Sequence, residues 1–151
     1  MWDTFNSGGF HHLATDHAPS TRAQKLGGGI WDAPFGLPGL DTTSALMIDA
    51  ALRGLTSLER VVEAYATAPA RAYCLAGKGE IRVGYDGDLA LVDPSAARVL
   101  TDGDTASKAG WTPFAGREVR GAVVATWLRG MEVARDRVLC GPAPAGRFLP
   151  G

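Results

Sequence analysis

Asp16 and its neighbours carry the chemistry this sequence can offer. In Leu13-Ala14-Thr15-Asp16-His17-Ala18-Pro19-Ser20 a carboxylate and an imidazole stand side by side. Small and apolar residues precede them, and a proline follows that ends any strand or helix. An acid at the C-terminal end of a short buried strand is where α/β enzymes place a group that moves a proton or ligates a metal ion. The octapeptide also reads as an Asp opening a turn, since Asp and Pro are turn formers in their own right. On a strand, His12 and Asp16 share a face but sit roughly 13 Å apart at about 3.3 Å per residue. Two ligands about 2 Å from one zinc ion cannot span that. Only a helical i,i+4 spacing would bring them together. His11 and His12 therefore read as polar loop groups, and His17 as a residue that holds the loop by a hydrogen bond.

The elements that must position Asp16 follow from periodicity. Residues 2–9 read as a helix end and a Gly8-Gly9 turn, and Phe10 to Thr15 as a strand. Residues 20–33, polar and then rich in glycine, read as a loop over whatever Asp16 faces. Gly27-Gly28-Gly29 is not a phosphate loop, because no Lys-Ser/Thr follows at the required spacing. Pro34 to Leu40 is a second Gly/Pro stretch.

Asp41 or Thr42 is placed to cap a helix in which Ala45, Ile48, Leu52 and Leu55 recur at helical spacing until Gly54. Thr56-Ser57-Leu58-Glu59 has the form of a capping box, with Leu58, Val61, Val62 and Tyr65 as the apolar face behind it. Thr67 is expected to cap a third helix with Pro69 in its first turn, closed by Gly77. Beyond Gly77 the period becomes that of strands: Glu80–Val83, Leu89–Asp93, Arg98–Thr101, Val119–Leu128 and Glu132–Ala134. Residues 103–116 are expected as a loop, and the proline-containing tail after Cys140 as extended. A boundary near residue 76 divides the chain into 1–76 and 77–151.

Several blocks together resemble dihydroorotases and, more broadly, the cyclic amidohydrolases that include hydantoinases and allantoinases. Ala14-Thr15-Asp16-His17-Ala18-Pro19 is similar to their strand-8 motif. In family order come Pro34 to Thr42, Pro69-Ala70-Arg71, Gly77 to Ile81, Gly84 to Leu89, Ser107-Lys108, and Trp111 to Gly116. The resemblance covers nearly the whole chain but only the C-terminal third or so of a family member. It implies an α/β fold. Residues 1–76 would be the last strand and helices of a metal-dependent hydrolase TIM barrel, and 77–151 the C-terminal strands of a composite β-sandwich.

The resemblance also implies roles. Asp16 would be the catalytic acid–base group and one ligand to zinc, of which the family uses one or two ions. The other family ligands, an HxH pair, a carboxylated lysine and two further histidines, have no counterpart here. Ser20, Phe35 and Gly36 fall at substrate-binding positions, and His17 beside them would act as a supporting residue. Dihydroorotases commonly carry a His where this chain has Ser20, and a hydroxyl brings no charge to a substrate carboxylate. Arg22 is near enough in sequence to supply one. Otherwise a neutral ring amide fits better.

Composition sets the remaining bounds. The 151 residues carry 15 basic and 16 acidic side chains, net charge −1, with no long run of either sign. Nucleic acid and membrane are therefore not expected as partners. No apolar run approaches a membrane span, and the first residues have neither the basic region nor the apolar core of a secretory leader. Cys74 and Cys140 lie far apart and form no CxxC, which suits a reduced, cytoplasmic setting. Three functions follow as expectations. The first is the C-terminal part of a dihydroorotase, closing carbamoyl aspartate to dihydroorotate in pyrimidine biosynthesis. The second is allantoinase or hydantoinase/dihydropyrimidinase activity. The third is a non-catalytic fragment that binds a partner. The expected partners are a cyclic amide substrate and either the missing N-terminal barrel or further copies of this chain. The chain alone is expected to be inactive.

Overall fold

The computed structural model describes residues 1–141 and 146–150. Its central relationship is one long helix laid on an antiparallel sheet. The helices are α1 (Trp2–Asn6), α2 (Arg22–Leu26), α3 (Leu40–Leu52), α4 (Leu58–Val62) and α5 (Ala68–Ala72), with one π turn, Glu63–Thr67, joining the last two. The strands β1 (Leu89–Val99), β2 (Glu118–Leu128), β3 (Met131–Arg135) and β4 (Val138–Leu139) form one sheet in the order β1-β2-β3-β4.

Helix α3 buries Thr42, Ala45, Ile48, Asp49 and Ala50. Ala45 joins Leu100 and Val119 in the core, with Leu46 and Phe114 packed against them. Leu100 and Val119 are fully buried, and each such side chain contributes about 1.5–3 kcal/mol. The helix lies close to β2 because Gly121 has no side chain. A Cβ there would come within 2.5 Å of Ile48 Cγ2 and 2.9 Å of Leu52 Cδ1.

Charge closes the same interface. Asp49, with no exposed surface, accepts from Arg53 Nε at 2.8 Å and from the backbone N–H of Arg120 at 2.9 Å. Burial pushes this carboxyl up, but the Arg120 N–H and the Arg53 guanidinium outweigh that and hold it below the usual range.

Strand β1 is an edge strand, and Pro94 falls in its register shift between Asp93 and Ala97, where a missing N–H breaks no ladder. The turn Arg129-Gly130 has φ of 49° and 77°, the left-handed pair that a two-residue hairpin requires. Asp136-Arg137 repeats it at 47° and 69° between β3 and β4.

Some sequence-based expectations change. Phe10 to Thr15 forms no strand. A strand needs a neighbour to pair with, and the one parallel bridge near it is His17 with Leu37. Residues 20–33 are not all loop: Thr21 and Gln24 form a capping box that starts α2. Helix α3 begins at Leu40 behind Gly39, ahead of Asp41 and Thr42. Ser57, not Thr56, caps α4 by accepting from Arg60 N–H. Of that helix's expected apolar face, Val61 is buried while Leu58, Val62 and Tyr65 stay exposed.

Thr67 lies within the run of helix and donates its hydroxyl to Gly79 O at 2.6 Å instead of capping. Glu80–Val83 is not a strand, whereas Leu89–Asp93 and Arg98–Thr101 merge into one. Both cysteines are free and exposed. In the tail, residues 142–145 and 151 lie outside the described residues, and 146–150 form neither helix nor strand.

Candidate functional site

Asp16 stands at a turn in the backbone. Its φ is 46°, in the left-handed region that Asp tolerates better than most residues. The side chain is exposed and lines a depression of about 310 Å³ together with Thr15, Gly36, Thr43, Pro113 and Phe114. Four segments meet there: the Asp16 loop, the Gly36–Gly39 turn, the first turns of α3, and the loop between β1 and β2. Among the described residues Asp16 is the only charged group in the lining.

Local chemistry explains why these segments meet. His17 Nδ1 accepts from the backbone N–H of Gly39 at 3.1 Å and of Leu40 at 3.0 Å. The ring thus does for α3 what a capping side chain does, satisfying N–H groups that have no partner within the helix. With Nδ1 accepting, the proton of the neutral ring belongs on Nε2, an assignment made from its partners. Ala18 N–H donates to Leu37 O at 3.3 Å beside the His17–Leu37 bridge. Gly36, at φ 84°, is required to be glycine: a Cβ would lie 2.3 Å from Ala18 Cβ and 2.7 Å from Ala18 O.

A second set of contacts comes from the β1–β2 loop. Trp111 Nε1 donates to Ser20 O at 2.7 Å. Asp102 takes Arg22 at 2.9 Å on one oxygen and the N–H of Thr112 at 3.0 Å on the other. The Arg22 guanidinium lies 5.6 Å from the centre of the Trp111 ring. Lys25 is committed as well, donating to Pro34 O.

The structure thus gathers Asp16 and Gly36 in one depression, with His17 behind them. Ser20 and Phe35 stand apart from that lining. The Ser20 hydroxyl is buried with no partner among the described residues, and its carbonyl faces Trp111. Phe35 is 96% exposed. Thr43 and Leu46 were not singled out in the sequence, because nothing in their spacing separates a helix residue facing a pocket from one facing a core. Pro113 and Phe114 stood in a recognised block, but only tertiary contact shows that they form a wall.

The residues present do not by themselves fit a zinc ion. Among the described residues no three His, Cys, Asp or Glu side chains converge as a metal site, and zinc takes at least three protein ligands. His11 and His12 approach each other, with their Nδ1 atoms 2.9 Å apart, and His12 stacks edge-on to Tyr73, away from the depression. Among the described residues no helix is long and apolar enough to cross a membrane.

The sequence pattern of the amidohydrolase family matches residues 1–133. A dihydroorotase of Halobacterium salinarum is 46% identical over 116 residues, which is 77% of this chain and 27% of that protein. An allantoinase of Rubrobacter xylanophilus is 38% identical, covering 99% of this chain and 33% of its own length. Among solved structures, a D-hydantoinase (dihydropyrimidinase) from Thermus sp. superposes with a TM-score of 0.91 at 28% identity, over 98% of this chain and 33% of that one. The chain spans about a third of the length of the curated relatives it matches.

Proposed function

The chain belongs to the amidohydrolase family, and from that premise we propose that it is the C-terminal portion of a zinc-dependent cyclic amidohydrolase. In this reading residues 1–76 complete a TIM barrel and residues 77–151 belong to a composite β-sandwich. The remaining metal ligands belong to the part of the relatives' length that this chain does not span. Dihydroorotate is the first substrate, supported by dihydroorotase being the most frequent name among the relatives.

The observation that carries the proposal is Asp16, an exposed carboxylate held at a left-handed turn as the sole charge of a depression. Its task is proton transfer. It accepts a proton from the attacking water and delivers it to the ring nitrogen as the amide C–N bond breaks. His17 does not touch substrate in this scheme. It ties the Asp16 loop to the start of α3.

A second reading, a neutral ring amide such as a hydantoin or allantoin, is favoured by a specific observation. Arg22 is spent on Asp102, Lys25 on Pro34, and the lining holds no cation for a carboxylate. The structural likeness to hydantoinases agrees with it.

The test replaces the matching segment of the Halobacterium salinarum dihydroorotase with this chain and assays dihydroorotate, hydantoin and allantoin. Asp16→Asn in that enzyme is expected to lower turnover by about 10²–10⁴-fold, the usual weight of general acid–base catalysis. Near-unchanged turnover would remove Asp16 from the chemistry. The preferred substrate decides between the two readings.

A further inference from the structure

We propose that the loop between β1 and β2 latches the Asp16 loop in place, with Trp111, Arg22 and Asp102 as positioning residues. The proposal rests on the reading that the Asp16 depression is where reaction occurs.

The geometry points this way because one short segment does two jobs. Pro113 and Phe114 form a wall of the depression. Two residues earlier, Trp111 holds the carbonyl of Ser20, four residues beyond Asp16. A shift of this segment therefore moves the wall and the acid together. Asp102 makes the connection two-handed, taking Arg22 of α2 on one oxygen and Thr112 N–H on the other. Thr112 is itself 2% exposed and accepts from Phe114 N–H at 3.3 Å.

The loop is also fastened at its base. Asp104 is held by Arg98 at 2.7 Å, by Arg137 and by the Thr101 N–H. Thr105 donates to Asp41 of α3 at 2.8 Å. The latch thus transmits the position of the sheet and of α3 to the Asp16 loop. The Arg22–Asp102 pair is more than 40% exposed on both sides and is worth little alone. The part-buried Trp111 bond carries the greater share.

Hydrogen exchange on the whole 151-residue chain tests this without any activity, so its failure is separate from failure of the functional reading. Three protons report: Ala18 N–H in the Asp16 loop, the Trp111 indole N–H in the latch, and Leu100 N–H in the core, which is bonded to Arg117 O at 2.9 Å. Trp111→Phe keeps a ring but removes the donor. It is expected to speed Ala18 exchange about tenfold while Leu100 stays slow. Asp102→Ala, which releases both Arg22 and the Thr112 N–H, is expected to speed the indole and Ala18 protons in the same selective way should Trp111→Phe fail to fold, and Arg22→Ala, which removes only the exposed pair, to do so more weakly. Unchanged Ala18 exchange in these variants would overturn the proposal. So would a parallel rise at Leu100, which would make the contacts general supports of the fold.

Discussion

The backbone N–H of Arg120 donates to the carboxylate of Asp49 at 2.9 Å, so the last turn of α3 and the start of β2 share one buried charge. Asp49→Ala leaves that N–H and the Arg53 guanidinium without their acceptor. A loss of about 2–4 kcal/mol is expected, part of it recovered because Arg53 can turn to water. Denaturant unfolding of the two chains measures it.

Acid should show the same coupling. Asp49, Asp88 and Asp104 are each pushed up by burial. They end below the usual carboxylate range because hydrogen bonds from Arg120 and Arg53, from Lys78 and Arg129, and from Thr101 and Arg137 outweigh it. A depressed carboxylate contributes stability that is whole above its unfolded value of about 3.9 and is lost as pH falls through the folded value. The melting temperature should therefore hold from neutrality to about pH 5 and drop below about pH 4, and Asp49→Asn should drop less steeply. An equal slope in the variant would take Asp49 out of the account.

Gly121→Ala tests the close approach of α3 to the sheet. The new Cβ meets Ile48 Cγ2 at 2.5 Å in a residue whose φ is 76°. Strain and overpacking together should cost about 2–4 kcal/mol. Adding Ile48→Ala makes room, so the double variant should lose less than the sum of the two single losses. Simple additivity in the unfolding midpoints would show that the two residues do not compete for space.

His17→Ala removes the acceptor shared by Gly39 and Leu40 N–H. Loss of a capping group typically costs about 1 kcal/mol. The expected signature is local, with faster exchange at Gly39 and Leu40 and a melting temperature lowered by a few degrees. Unaltered exchange there would separate His17 from α3.

Isolated, the chain should associate. Trp31, Phe35, Ile81 and Val83 are each more than 90% exposed. Uncovered apolar surface of this kind favours interaction, and in the proposed enzyme it would be covered by the barrel. Light scattering and dye binding should report oligomers or exposed apolar surface. A non-associating monomer that binds no dye would contradict this.

Elements with a repeating period were legible in the sequence. Helix α3 was visible in Ala45, Ile48 and Leu52, and β2 in the strand composition of Val119–Leu128. The β3–β4 turn was not, because Asp136-Arg137 adopts left-handed angles with no glycine to announce it. Glu80–Val83 has the composition of a strand but no neighbour to pair with. Asp16 stood out through its motif. The wall opposite it, and the capping role of His17, arise from contacts made across 22 residues and more, which no local pattern encodes.

The Asp49–Arg120 bond joins residues 71 apart in the chain. Before helix and sheet can reward each other, the intervening loop must close. That entropy rises by only about 0.6 kcal/mol for each doubling of loop length, so insertions between α5 and β1 should be cheap at equilibrium. The rate is governed differently, since distant contacts slow the search for the native arrangement. A cut in the same place would change the problem in kind. Two fragments would have to find each other at a rate set by their concentration, and the order of synthesis would decide how long α3 waits, uncovered, for its sheet.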